Sequence, residues 1–383
     1  LMKFFKAFII ILIITLMFTK STDILVGYFL LSKEQKNEIL NKNKIEVRNI
    51  ILKEHHPNQN THLSVPERYT KKISELHNKT FRLRTDDNGY IIGPKHDSNS
   101  ENVDFIFFGG STTECIFVEE NKRFPYLLTR ILQRSDGTSI NSLNAGVSGN
   151  HSMHSLLNLL GKGIIEKPKF VILMHAANDM GTLLNTSSYW NAPFKKRIIR
   201  TSENLTFKSY LKGLIFETSK IIKNIFLPNF WIFSRDSIFD FLRSEEDDFV
   251  NFRKNQMTFE NLENILNSDF RSALNSFILV SRSWNIEPIL MTQFNNYNKR
   301  NLISPESSLS SEELFDLYVY TNQIVREEAK ANNVELIDLE KKTKGESLFL
   351  DTIHLNSNGS ILVANEIAKE ISIKFRKLYK IKP

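Results

Sequence analysis

From residue 103 to the C-terminus the chain alternates short, uniformly apolar runs with longer segments whose apolar residues recur every three or four positions. The runs at 103–108, 140–144, 170–174, 286–292 and 334–339 have the length of buried strands. The segments at 125–133, 154–162, 269–284, 311–332 and 358–377 carry a helical period. A strand that is apolar on both sides needs cover on both faces, and alternation with helices supplies it. The pattern predicts a doubly wound α/β/α sandwich around a parallel sheet of about five strands. Between the third and fourth strands, residues 182–260 break the alternation with an aromatic-rich, helical insertion, where "FLPNFWIFSRDSIFDFL" could stack on sugar rings or pack onto the sheet.

The first hundred residues follow a different pattern. "MKFFKAFIIILIITLMF" sets Lys3 and Lys6 ahead of an apolar run from Ala7 to Phe18, with no small-residue cleavage site after it. This predicts an uncleaved signal anchor over 1–32, extended through "DILVGYFLL" toward bilayer-spanning length, with a buried core helix as the alternative. The lysines before the run predict that the following chain lies outside the cytoplasm, in the periplasm or beyond the cell. Residues 33–62 are lysine-rich and read as a helical stalk or linker. "FRLRTDDNGYIIG" reads as a hairpin around Asn88-Gly89. The expected layout is therefore an anchor at 1–32, a stalk and extension at 33–100, and a main domain at 101–383.

Composition narrows the chemistry only slightly. One cysteine among 383 residues excludes an internal disulfide framework and a cysteine-rich metal site. The net charge of +7 favours acidic partners, but the basic residues are scattered, and the densest cluster, "KKRIIR" at 195–200, reads as a solvated helix face rather than a nucleic-acid site.

The informative residues lie at the carboxyl ends of the expected strands, where ligands collect in open α/β sheets. "DFIFFGGSTTEC" ends a strand on Gly109-Gly110 and then presents Ser111. A serine needs a base, and the base needs an orienting acid. Among nine histidines His354 is best placed, three residues after Asp351 in "DTIHLNSNG", just before the last helix. Acyl transfer also needs donors for a developing oxyanion. Gly146 in "NAGVSGN" can expose a backbone N–H, and Asn178 in "MHAANDMG" can present a side-chain amide. His175, beside the second string, is a candidate substrate contact. Asp179 is expected to brace its loop, and Cys115, a helical turn beyond Ser111, to be a small buried residue. His151 and His154 have helix-like spacing but no third ligand nearby in sequence, so no metal site is assigned.

With these four strings in place the chain resembles the SGNH hydrolase superfamily, the GDSL-type esterases and lipases. "FFGGSTTEC" is similar to F-G-D-S-x-T-x-G, "NAGVSG" to N-x-G-x-x-G, "AAND" to G-x-N-D, and "DTIHLNSNG" to the D-x-x-H block, in that order over residues 103–383. Gly110, Cys115 and Ala176 depart from the aspartate, glycine and glycine of the pattern. The resemblance implies a flavodoxin-like sheet and an esterase needing no cofactor. It also implies Ser111 as nucleophile, His354 and Asp351 completing a triad, and an oxyanion hole of the Ser111 N–H, Gly146 and Asn178. With the anchor, the expected substrate is an acylated, above all acetylated, glycan of the cell envelope or a secreted one. The alternatives are an O-acetyltransferase on the same site, a phospholipase, and a non-catalytic glycan-binding or assembly protein.

Overall fold

The computed structural model describes residues 47–65, 79–94, 103–191, 198–202, 257–297, 309–342 and 345–383, with Leu76 and a few helical positions between 9 and 18. Most of the expected anchor and most of the 182–260 insertion therefore lie outside the described residues. Among the described residues no helix is long and apolar enough to cross a membrane.

The chain divides into two compact units. In the smaller, Leu1–Ile50 with Ile199–Phe249, strand β1 (Val47–Ile50) pairs antiparallel with β8 (Ile199–Ser202), Val47 opposite Ser202. The end of the KKRIIR cluster is thus a strand, not a helix face.

The larger unit, Ile51–Ile198 with Val250–Pro383, holds the other elements. In chain order these are β2 (Asn60–Ser64), β3 (Thr80–Arg84), β4 (Phe105–Gly109), α1 (Ser111–Glu114), α2 (Phe124–Ile131), β5 (Leu132–Arg134), β6 (Ser142–Asn144), α3 (Ser152–Gly161), β7 (Phe170–Met174) and α4 (Ala177–Thr186). After the insertion come α5 (Phe259–Ile265), α6 (Arg271–Ser283), β9 (Glu287–Met291), α7 (Ser311–Ala331), β10 (Glu335–Ile337), α8 (Ser357–Lys374) and β11 (Tyr379–Ile381).

The central sheet has the order β10-β9-β7-β4-β6 and every pairing in it is parallel. Counting only its own strands in chain order, that is 2-1-3-4-5, a doubly wound arrangement whose switch point lies between β4 and β7. Every residue of β4 and β7 is buried. On one face Phe105 stacks on Phe170 at 5.4 Å and Phe107 meets Phe124 of α2 edge-on at 5.5 Å, beneath Val363, Ile367 and Ile371 of α8. On the other, Phe108 meets Phe277 of α6 at 5.5 Å. Alternate residues of one strand thus anchor both helical layers, which is why the run is apolar without a break.

Two expectations are corrected and one is refined. The stretch from Ile51 is no stalk: Leu52 packs where a Cβ on Gly161 would stand, and the Lys53 carbonyl accepts from Asn150 and Asn158 at 3.2 and 3.0 Å. The expected hairpin at 81–93 is present but short: Thr85 bridges Ile91, the Asp86 N–H donates to the Tyr90 carbonyl and the Ile92 N–H to the Arg84 carbonyl, both at 3.0 Å, while β3 pairs over its length with β2 upstream and Ile91 also bridges Asn144. The wide turn follows from Asp86, whose carboxylate accepts from the N–H groups of Asn88 and Tyr90 at 3.0 and 2.8 Å, with Gly89 left-handed at φ 73°. Finally, α2 stops at Ile131, because Leu132–Arg134 pairs with the C-terminal Tyr379–Ile381.

Candidate active site

The switch point brings together the strings that the sequence spreads over almost 250 residues. After β4 the chain turns through two glycines that close contacts require. A Cβ on Gly109 would stand 2.1 Å from Thr113 Oγ1, and one on Gly110 would stand 2.3 Å from Asn178 Nδ2. Ser111 then opens the single turn α1, closed by the N–H groups of Thr113 and Glu114 on the Gly110 carbonyl. Gly110, where the SGNH pattern carries aspartate, therefore lets the Asn178 amide come up against the backbone next to Ser111.

Asp351 and His354 lie on the loop entering α8. That loop is pinned by the Leu350 N–H on the His354 carbonyl at 2.7 Å, and by Asn356, which caps α8 by accepting from Gly359 N at 3.0 Å. The trailing glycine of the block is a packing requirement, since its Cβ would lie 2.2 Å from the Leu348 carbonyl oxygen. Asp351 Oδ1 accepts from the N–H groups of Ile353 and His354 at 2.8 and 2.7 Å, leaving Oδ2 facing His354 Nδ1 at 2.7 Å. On the far side of the ring, Nε2 lies 2.8 Å from Ser111 Oγ. A carboxylate only accepts, so Nδ1 carries the proton, and the neutral ring's Nε2 is left to accept from the serine hydroxyl. Burial pushes the Asp351 carboxyl up, but the His354 ring and the two backbone N–H groups outweigh it and hold the acid down at about 2. The arrangement can draw a proton from Ser111 and stabilise the resulting imidazolium.

Asn178 sits in the first turn of α4, which begins directly after the end of β7 where the sequence pattern predicts only a strand end. Its Nδ2 donates one proton to the Asn150 carbonyl at 2.8 Å, and an amide nitrogen has two. The Asn178 amide therefore keeps a donor on the Ser111 side. Gly146 differs from expectation: its N–H donates to Asn144 Oδ1 at 2.8 Å, and a Cβ on it would lie 2.5 Å from Glu114 N. Asn144 Nδ2 in turn donates to the Thr113 carbonyl at 3.0 Å. Gly146 thus lets the loop after β6 pack against α1, and its N–H is taken up by Asn144 rather than exposed.

His175 is corrected as well. It is buried, with Nε2 2.7 Å from Ser155 Oγ and Nδ1 3.4 Å from Asp179 Oδ2, so it offers nothing to a substrate. Asp179 is fully buried, and its Oδ1 accepts from Ser152 N, Ser152 Oγ and Tyr189 OH, bracing the start of α3 against α4. The His151 and His154 rings lie against each other in the same region, tilted by 40° with centroids 3.8 Å apart. Among the described residues no group of three His, Cys, Asp or Glu is placed to hold a metal ion. Cys115 is buried, takes a left-handed φ of 53° and donates its thiol to the Thr112 carbonyl at 2.9 Å. Burial pushes that thiol up to about 12, which leaves it protonated and unreactive.

A small pocket of about 40 Å³ opens at Ser111 and His354, walled by Ile116, Phe117, Leu350 and Leu355. Ser148 lines it too; its hydroxyl donates to Glu114, which lies buried on α1 with His55 Nε2 2.9 Å from its other oxygen. Neither Glu114 nor His55 stood out in the sequence, because nothing along the chain connects residue 55 to a turn sixty residues on.

No family model and no curated protein matches the chain. Several solved structures do. A lipase/acylhydrolase from Enterococcus faecalis matches at 17% identity over 73% of this chain and 98% of its own, with a TM-score of 0.40. An acetylxylan esterase from Geobacillus stearothermophilus matches at 15% identity over 70% and 94%, with a TM-score of 0.39. A GDSL-like lipase from Bacteroides thetaiotaomicron matches at 13% identity over 74% and 92%, with a TM-score of 0.36. At this distance the likeness assigns no residue a role, and the chemistry rests on the site itself.

Proposed function

We propose that the chain is a serine esterase of the SGNH type that removes short acyl groups, acetyl foremost, from a glycan outside the cytoplasm, held at the membrane by its N-terminal apolar segment. The observation that carries this reading is the unbroken line from Asp351 through His354 to Ser111 Oγ, ending at a pocket. Ser111 Oγ attacks the ester carbonyl as its proton passes to His354 Nε2. The oxyanion is met by the Ser111 N–H, which as the first N–H of a helical turn has no partner within it, and by the remaining Asn178 amide proton. As the intermediate collapses and the acyl C–O bond breaks, His354 gives its proton to the departing oxygen, which leaves as the alcohol. Water, activated by the same imidazole, then releases the acid and restores Ser111.

Short acyl groups are favoured by pocket size. The space beside Ser111, about 40 Å³, is of the size of a small acyl group. The lysine-led apolar segment at the N-terminus supports the location, and the glycan is inferred from that location together with the resemblance to the SGNH hydrolases. The test is hydrolysis of p-nitrophenyl acetate, butyrate and octanoate by the full chain. Turnover is expected to fall steeply with chain length and to drop about 10⁴-fold or more in Ser111→Ala. Turnover surviving in Ser111→Ala, or a preference for octanoate, contradicts the reading. A reporter active only outside the cytoplasm, fused after residue 383, is expected to be active; silence contradicts export.

A further inference from the structure

Gln293 lies two residues past the end of β9 with its side chain buried, and its amide touches two elements of the site at once. Oε1 accepts from Ala177 N at 2.9 Å, and Nε2 donates to Thr112 Oγ1 at 2.8 Å. The orientation is fixed by chemistry, because a backbone N–H can only donate and so must face the oxygen. Thr112 directly follows Ser111, and Ala177 directly precedes Asn178. A single side chain thus ties the neighbour of the nucleophile to the neighbour of the oxyanion amide.

The anchorage of Gln293 is equally specific. Its N–H donates to Asn322 Oδ1 at 3.0 Å, and its carbonyl accepts from Tyr318 OH at 2.6 Å and Asn322 Nδ2 at 2.9 Å. Asn322 and Tyr318 both belong to α7 and are buried. The backbone of Gln293 is therefore clamped to a 21-residue helix, and its amide reaches from that fixed point into the gap between α1 and α4. No ladder bond of the sheet spans this gap, since β4 and β7 have already ended at Gly109 and Met174.

We propose that Gln293 is a positioning residue that sets the spacing between Ser111 and the Asn178 amide, and so the fit of the oxyanion hole. The proposal rests on the reading of Ser111 and Asn178 given above. Because an oxyanion contact matters most in the transition state, loosening this spacing lowers kcat and leaves KM nearly unchanged. A displacement of the order of 1 Å at such a contact costs up to about 100-fold in rate.

The test uses the full chain and two variants. Gln293→Met keeps the length of the side chain but loses the bonds to both Thr112 and Ala177. Thr112→Val removes the acceptor for Nε2 alone. For each, kcat and KM on p-nitrophenyl acetate are measured per active site, counted by labelling with a fluorophosphonate, so that a misfolded fraction does not lower the rate. Gln293→Met is expected to lower kcat about 10- to 100-fold with KM within about threefold. The double variant is expected to be no worse than Gln293→Met alone, since that substitution already removes the bond that Thr112→Val breaks. Wild-type kcat per site in Gln293→Met, or losses that multiply in the double variant, overturn the proposal while the esterase reading stands. A wild type that neither turns over ester nor labels overturns the reading itself, and the positioning role with it.

Discussion

The molecule contains two Ser–His–Asp arrangements, and they differ in bonding and in exposure. In one, Ser111 Oγ, His354 and Asp351 are joined by hydrogen bonds of 2.8 and 2.7 Å; in the other, Ser155 Oγ lies 2.7 Å from His175 Nε2, but Asp179 Oδ2 stands 3.4 Å from Nδ1 and makes no hydrogen bond. The first pair of side chains, His354 and Asp351, is 20% and 23% exposed, whereas His175 and Asp179 are 1% and 0% exposed. Asp351 gives one oxygen to its own turn and the other to the imidazole. Asp179 spends Oδ1 on Ser152 and Tyr189 and leaves the longer contact to the histidine. The Ser111 line ends at a pocket; the Ser155 line ends inside α3. A serine, a histidine and an aspartate standing side by side therefore do not by themselves make a catalytic triad. Access for a substrate, and a carboxylate committed to the ring, are what separate a working base from a packed histidine.

The sharpest way to break this comparison is to make the same substitution in both. Asp351→Asn is expected to lower kcat on p-nitrophenyl acetate about 10³- to 10⁴-fold, because the ring loses the partner that keeps its proton on Nδ1. Asp179→Asn is expected to act on stability, leaving a buried network with a donor where an acceptor is needed; a comparable loss of kcat per active site would mean that the buried set also serves the chemistry. Next in size, Asn178→Ala is expected to cost about 10²- to 10³-fold in kcat, as removal of one oxyanion donor does. If it costs nothing, the amide is a brace only.

A smaller effect separates the two sets by pH. Burial holds the His175 imidazole below its ordinary 6.5, more than the Asp179 charge can offset. The unfolded chain therefore takes up that proton first, and stability falls as pH drops below about 6.5. Asp351, ordinarily 3.8 and held at about 2, adds a second loss between about pH 3.8 and 2, where the unfolded chain is protonated at that carboxylate and the folded chain is not. Denaturation midpoints in urea against pH are expected to lose the first limb in His175→Gln and the second in Asp351→Asn. A first limb unchanged in His175→Gln would assign it to another group.

Much of this was legible in the sequence, for identifiable reasons. Phe105 to Phe108 and Phe170 to Met174 are buried on both faces, so their runs are unbroken and their ends are marked by glycine or by a polar string. Asp351 and His354 are local to one turn, and a local pair can be read from spacing. Helix α4 was hidden because its first turn, "ANDM", also reads as a polar strand end, and its remaining apolar positions ran on into the aromatic insertion. Strand β5 has three residues and exists only through its partner at the C-terminus, more than 240 residues away. Gln293 and Asn144 act through bonds to distant backbone, and Glu114 through the side chains of Ser148 and His55, none of which leaves a periodic trace. His175 was misread because standing next to a polar string in sequence says nothing of which way a strand-end side chain turns.

The most direct measurement of the central claim is covalent labelling by a serine-directed fluorophosphonate, read by intact mass and by peptide mapping. The account predicts one label per chain, on Ser111, absent in Ser111→Ala, strongly slowed in His354→Ala and unchanged in Ser155→Ala. No label on the folded chain, or a label elsewhere that persists in Ser111→Ala, would contradict it.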